Sequence, residues 1–449
     1  MTIATTLAEF LATTSYDDLP DQAVDHAAMI IASTIASAAC GRGIESARII
    51  CDIERTRGGT PEASVWFDSG PKLPVVGAAR ANALQSDAAA SDDSDLRNIV
   101  HAGTPLTATA LAAGEATGAT GQEVLAAIVI GYEAAGRVGE AIIPRFDYRG
   151  HHGCMGATFG ATGAAARLFG LTAEQTAHAL VLTATSIGGL TKAANTSIAR
   201  EYHAGNATML AIEAVLAAKH GYTGELNVFE VDRGFCQIYG GSDGAGIVEG
   251  LGAEWDIVTD MALKLVPGGH PYHALGEAGA NAAREGNIAP EEVASITVSR
   301  PGMTALSGPL HPKDLIDMAH SPAYFTAAGV RDHAFGWVHA SPEKIDDPVI
   351  HGLIDKVRVG PEPIDNLEDY RQGASVSIET MDGRTVSNTV FVPKGAGCLG
   401  IDWMDVDAKF RALAPNAPMS EGQIARSIEL VHGFREISDL SEFIKGLHA

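Results

Sequence analysis

The chain has 449 residues, 46% hydrophobic and 19% charged, with a formal net charge of -24. Its length exceeds the ~250–300 residues at which a single core stops growing, so two domains are expected. The acid excess excludes nucleic acid and anionic membrane as partners, because both need a basic face. Five cysteines (Cys40, Cys51, Cys154, Cys236 and Cys398) are scattered, with no C-x-x-C and no tight Cys/His spacing. They read as free thiols in a reducing compartment, so a cytoplasmic location is expected.

The N-terminal stretch Met1–Phe10 lacks a basic n-region, and the apolar stretch 126–143 is broken by Glu133 and Arg137. Neither a signal peptide nor a membrane span is expected. Residues 22–40 are apolar all round and read as a buried helix that stops near Gly41. Residues 78–90 read as a second Ala-rich helix, leading into the acidic turn Ser91–Asp95 and on to Arg97 and His101. Helices are expected at 106–116, with Pro105 near the first turn, and at 122–141. The loop Tyr148–Gly156 then sets Arg149, His151 and His152 among glycines, where backbone can approach a ligand closely beside cationic or proton-transferring side chains. Behind it, Ala157–Leu171 is a helix of small residues that must pack tightly, and rigid elements place sites well. Thr172 with Gln175 is a capping box before a helix at 173–182, and 206–219 ends at His220-Gly221. No strand-like alternation occurs before about residue 290.

The pattern then changes. Residues 293–300, 356–360 and 375–392 carry period-2 alternation, the last as a hairpin turned at Asp382-Gly383. Helices are expected between them at 321–335 and 347–355, and after Gly400 at 404–413, 420–432 and 438–447, with Ser420 and Gln423 as a second capping box. The expected fold is mainly α: an all-helical domain over 1–262 with 400–449, and a smaller α+β domain inserted over 263–399, with a cleft at the join.

The residues available for chemistry are imidazoles, guanidinium groups, a lysine and a phenol, with no activated hydroxyl nucleophile. Asp92, Asp93 and His101 precede the central loop, Arg200 and His203 open the helix after it, and Lys264, His270, His273, His320 and Tyr324 follow. Such a set suits carboxylate substrates: bind the carboxylates, move a proton α to one of them, and stabilise the resulting anion. Asp93, Arg149, His152, Arg200, His270 and His273 are the expected substrate-binding residues. No metal is expected, since His270 and His273 stand at i, i+3 without a third ligand at suggestive spacing. No Walker-type loop occurs. Gly395–Gly400 matches G-x-G-x-x-G and Gly240–Gly244 matches G-x-S-x-G, but both lie in the wrong context, so no nucleotide or flavin is called for.

The succession Asp92-Asp93…His101, Gly150-His151 leading into Ala157–Leu171, Arg200-Glu-Tyr-His-Ala-Gly-Asn206, Thr223-Gly-Glu225, Asp232-Arg-Gly-Phe235 and Ile345-Asp-Asp-Pro-Val349 resembles the MmgE/PrpD family. That family includes 2-methylcitrate dehydratase, cis-aconitate decarboxylase and iminodisuccinate epimerase. The resemblance implies a helical domain with an α+β lid and a cofactor-free homodimer acting on small di- or tricarboxylates. It implies catalytic roles for His101, His151, Lys264 and Tyr324. His151 and Tyr324 are expected to carry protons, and Arg200, Lys264 and His101 to stabilise an aci-carboxylate. The expected function is a cofactor-independent lyase, either dehydratase or decarboxylase, with an epimerase as the alternative and a catalytically silent carboxylate-binding protein as a reading from another class.

The chain departs from the family pattern at four places. Ala90-Ser91-Asp92-Asp93 keeps the last two carboxylates of the family's Asp-x-Asp-Asp turn and loses the first. Arg200 replaces a lysine, Gly268-Gly269-His270 replaces a bulkier run, and Lys192 stands where an apolar residue is expected.

Overall fold

In the computed structural model, the structure describes residues 1–98, 100–144, 149–191 and 199–447. Tyr148 and Lys192 lie outside the described residues. The protein is mainly helical, and the chain divides into two compact units, residues 1–261 with 402–449 and residues 262–401.

The first unit opens with α1 (Ile3–Thr13), α2 (Asp21–Gly41), α3 (Glu45–Arg57), α4 (Val75–Ala88), α5 (Gly103–Thr117), α6 (Gly121–Ile142), α7 (Cys154–Leu168), α8 (Ala173–Ser186) and α9 (Ala199–Lys219). The capping box expected at Thr172 forms, with the Thr172 side chain accepting from Gln175 N. α1 and α3 escape the sequence reading, and so does β1 (Asp93–Asp95). Three acidic and polar residues have no strand propensity, so no alternation marks β1. β2 (Met261–Leu263) is equally short.

α7 packs against α1, α5, α6, α8 and α9. Its small side chains explain how. A methyl group on Gly160 would sit 2.5 Å from the Gly131 carbonyl oxygen, and one on Gly131 would sit 2.8 Å from the Gly160 oxygen. The α6 and α7 backbones therefore touch, and no side chain larger than hydrogen fits between them. α2 is the one described helix long and apolar enough to cross a bilayer by length and composition, and 89% of that window is buried inside the protein, as in a core helix.

In the second unit a four-stranded sheet has the order β4-β3-β5-β6, with β3 (Val293–Ser299), β4 (Val357–Val359), β5 (Ala374–Thr380) and β6 (Thr385–Val390). β3 pairs parallel with β4, Ile296 opposite Val357, and antiparallel with β5, Ile296 opposite Ile378. The β5–β6 hairpin turns at Asp382-Gly383, with Gly383 at φ +85. The helices His270–Glu285 and Pro322–Asp332 pack on each other, the former also on β5 and β6. Val293, Ile296, Val298, Val376 and Ile378 join Leu275, Tyr324 and Phe325 in one core.

Candidate active site

Four backbone segments of the first unit bring titratable groups together. The loop before α7 lies alongside Gly188–Thr191: His152 N donates to Gly189 O (3.2 Å) and Thr191 N to Gly150 O (3.1 Å). Gly150, at φ +95, lets the chain turn there. The His152 ring is oriented by the Cys154 backbone N–H, which donates to its Nδ1 (3.2 Å). His203, in the second turn of α9, faces it with ring centroids 4.8 Å apart and an interplanar angle of 30°. Burial, then the neighbouring His101, His203 and Arg200, push the His152 imidazole down to about 3, against the pull of Asp92. His152 is therefore neutral at physiological pH. Burial also lowers His203.

The acidic turn divides its labour. His101 Nδ1 lies 2.6 Å from the Asp93 carbonyl oxygen and 3.3 Å from Asp92 Oδ2. Two acceptors at Nδ1 fix the tautomer, so that nitrogen carries the proton. Asp93 Oδ1 accepts from Gly103 N (2.7 Å), the first residue of α5. This oxygen, expected on substrate, holds a helix start; a Cβ on Gly103 would sit 2.5 Å from it. Asp95 belongs to a separate network in which Arg97 also meets Asp256 and Asp260, beside a pocket of about 380 Å³.

Arg200 ties the start of α9 to the end of α4. Its Nη2 donates to the Asp87 carbonyl oxygen (2.7 Å) and to Glu201 Oε1 (3.3 Å), and its Nε lies 3.4 Å from Asp87 Oδ2. Burial works against the guanidinium charge, but Asp87 and Glu201 beside it hold the group above its ordinary value. Burial raises Asp87, with Asp92 and Glu201 adding to the effect and Arg200 opposing it. The carboxylate fork expected of Arg200 is thus engaged inside the protein.

Two expected members of the central loop lie elsewhere. His151 Nε2 sits 2.9 Å from the Ile142 carbonyl oxygen, its residue bridges Leu190, and its ring meets Tyr239 edge-on at 5.5 Å. His151, expected as a proton carrier, is buried with this nitrogen on a backbone carbonyl. The Arg149 guanidinium packs over Gly241, where an added Cβ would sit 2.5 Å from Nη2.

In the second unit, Lys264 is buried just after β2. His270 and His273 open their helix with rings 5.0 Å apart, and His273 stacks on Phe325 at 5.6 Å. Gly268, at φ +130, explains one departure from the family pattern: a Cβ there would lie 2.5 Å from Phe325 Cζ. Tyr324, expected as a proton carrier, lies in the core of the second unit. It is fully buried, its hydroxyl donates to the His339 carbonyl oxygen (2.7 Å), and burial, with Asp347 and Asp332, raises its pKa. A phenol so held has its hydroxyl hydrogen engaged on the His339 carbonyl oxygen.

The MmgE/PrpD N-terminal domain matches residues 5–247, and the MmgE/PrpD C-terminal domain matches residues 267–432. The chain belongs to the MmgE/PrpD family. It is similar to human cis-aconitate decarboxylase, 23% identical over 435 residues that cover 94% of this chain and 90% of the relative. It is 22% identical to the mouse cis-aconitate decarboxylase over 95% of this chain and 90% of that one. A cis-aconitate decarboxylase-like protein, oryM, of Aspergillus oryzae is 27% identical over 356 residues, 73% of this chain and 72% of that one.

Within this MmgE/PrpD chain the cluster comprises Asp87, Asp92, His101, His152, Cys154, Arg200, Glu201 and His203. Sequence reasoning missed Asp87 and Glu201 and left His203 out of the expected substrate-binding set. It also overlooked His152-Gly-Cys154, a tight Cys/His spacing that corrects the expectation of none. Asp87 gave no signal, since it is one of several polar residues in an Ala-rich helix, with Arg80, Asn82, Gln85 and Ser86 before it. Chemically, the cluster offers one imidazole oriented through Nδ1, two neutral imidazoles and a guanidinium embedded in carboxylates.

Proposed function

We propose that the protein is a cofactor-independent lyase that removes CO2 from a small tricarboxylate of the cis-aconitate type. The observation that carries this reading is similarity to cis-aconitate decarboxylases that runs through 94% of the chain, together with a cluster suited to proton transfer at carbon. Loss of CO2 from a –CH2–COO⁻ arm next to the double bond leaves an allylic electron pair. That pair is conjugated with the far carboxylate, and a proton delivered to the carbon α to it gives CO2 and an unsaturated dicarboxylate. His101, as the imidazolium with Nδ1–H held by Asp93 and Asp92, donates the proton from Nε2 and is left as the neutral Nδ1–H imidazole. His152 and His203, as neutral imidazoles, orient substrate carboxylates by hydrogen bonding. The roles implied for Lys264, His270 and His273 belong to this proposal as substrate-binding and charge-stabilising groups. So do a cytoplasmic location and a homodimer. Free cysteines fit the first, and exposed Leu190, Tyr202, Tyr222 and Ile238 fit the second.

The test is incubation of the chelator-treated protein with cis-aconitate in heavy water. The expected result is stoichiometric CO2 and a product carrying one deuterium at the new methylene. Gain or loss of water without CO2 would replace the decarboxylase with a dehydratase. Label in a recovered epimer of unchanged composition would make it an epimerase. Inertness toward a panel of di- and tricarboxylates would leave a binding protein.

A further inference from the structure

Lys409 belongs to the helix Trp403–Leu413, which packs against α2, and it is only 2% exposed. Its Nζ donates to Ser33 Oγ of α2 (2.7 Å) and to the Ser91 carbonyl oxygen, 318 residues earlier in the chain. Burying an ammonium is costly unless hydrogen bonds and opposite charge offset it. Ser91 is followed directly by Asp92 and Asp93, themselves buried, so the cation stands at the start of the acidic turn. A second observation marks the same place. Ala90 takes φ +51, a left-handed conformation that strains a residue other than glycine, and such strain persists only where the surroundings over-determine it. The Ser91 side chain does not supply that hold, since its Oγ is buried without a hydrogen-bond partner among the described residues. Lys409, on the Ser91 carbonyl, does.

We propose that Lys409 is a positioning residue of the candidate active site, acting on His101 through the backbone of the acidic turn. The Ser91 carbonyl lies immediately before the two groups that hold His101 Nδ1: the Asp92 carboxylate, at 3.3 Å, and the Asp93 carbonyl oxygen, at 2.6 Å. Hydrogen bonds weaken steeply as distance and angle depart from the optimum, so a turn released at Ser91 loosens the grip on the Nδ1 proton. The stretch after the second unit thus returns to the first to lock a turn laid down in the first quarter of the chain. Only the kinetic consequence rests on His101 acting as the proton donor of the reaction proposed above; the hold on its Nδ1 does not.

The experiment compares Lys409→Met, similar in length but uncharged, and Lys409→Gln, which keeps an amide donor, with Phe410→Leu, a change of packing at a buried neighbour on the same helix. NMR of the histidine ring N–H protons reads the His101 Nδ1–H, assigned by its absence in His101→Gln, and needs no turnover. The expected result is a resolved resonance in the wild type that shifts or is lost to solvent exchange in Lys409→Met, or in Lys409→Gln where the first variant does not fold. Phe410→Leu leaves it in place at an equal or greater loss of Tm. With cis-aconitate as substrate, kcat of the lysine variant falls about 10- to 100-fold while KM stays within about twofold. A wild-type His101 resonance in a folded lysine variant overturns the proposal, and so does the same change in Phe410→Leu. A changed resonance where the wild type itself is inert toward cis-aconitate upholds the positioning role and removes the decarboxylase reading instead.

Discussion

Replacing Arg200 with alanine tests how the cluster is built. The guanidinium is 13% exposed, and the carboxylates it meets, Asp87 and Glu201, are 8% and 3% exposed. Removing one member of a buried ion pair strands the others, which costs about 3–5 kcal/mol. A unit of about 300 residues has an unfolding entropy near 0.65 kcal/mol/K, so that cost lowers Tm by about 5–8 °C. The sign of the pH dependence follows from the stranded acids. Without Arg200 their folded pKa values rise further above the unfolded ones, so the folded state binds more protons and loses stability as pH rises from about 4. The deficit should be larger at pH 8 than at pH 5.5. Differential scanning calorimetry of Arg200→Ala, Asp87→Asn and the double variant at both pH values reads it. The double variant should recover part of the loss, because the charge that Arg200 leaves behind is gone. A Tm within about 1.5 °C of wild type at both pH values, with additive singles, would refute the network as an energetic unit.

Tyr324→Phe removes a hydroxyl that donates to the His339 carbonyl oxygen, so it should cost about 1–2 kcal/mol of stability and leave kcat within about threefold; a 100-fold fall in kcat at unchanged Tm would restore the phenol as a proton carrier. His152, pushed down to about 3 by burial, contributes stability that is full above about pH 6.5 and lost as pH falls toward 3, so His152→Gln should flatten the acid limb of the stability curve between those values. An unaltered acid limb, measured by urea melts across that range, would count against it. Gly160→Ala drives a methyl group to 2.5 Å from the Gly131 oxygen and should cost at least about 1–3 kcal/mol by chemical denaturation, whereas Gly170→Ala meets no atom and bears only the strain of its φ of +69.

The sequence made the long elements legible where local and global signals agree. Residues 22–40 are apolar on every side, and the helix there is buried on every side. Thr172 with Gln175 and Ser420 with Gln423 both form the capping boxes that their spacing implies. Asp382-Gly383 turns the hairpin. What stayed hidden is what depends on long-range partners. Ile44 caps α3 without a side-chain hydrogen bond, so no start signal exists. His151 and His152 are adjacent and chemically identical, and only the fold sends one to the Ile142 carbonyl and the other to His203. Arg200 looked poised for an external anion because its acceptors lie 113 residues upstream, at Asp87. Tyr324 shares composition with an active-site phenol, and its burial under His339 is a tertiary fact.

The contact of α6 with α7 also limits how this protein can move. Packed helices commonly change conformation by sliding a fraction of a turn past each other, which needs side chains that can swap rotamers at the seam. At Gly131 and Gly160 there are none to swap. A one-residue slip would press an Ala161 or Tyr132 side chain into a peptide carbonyl. The pair behaves as one stiff beam, so shear between these two helices is closed off as a route for admitting a ligand. Adjustment around His152 then falls to the glycine-bearing loop that ends on the beam, and around His203 to α9.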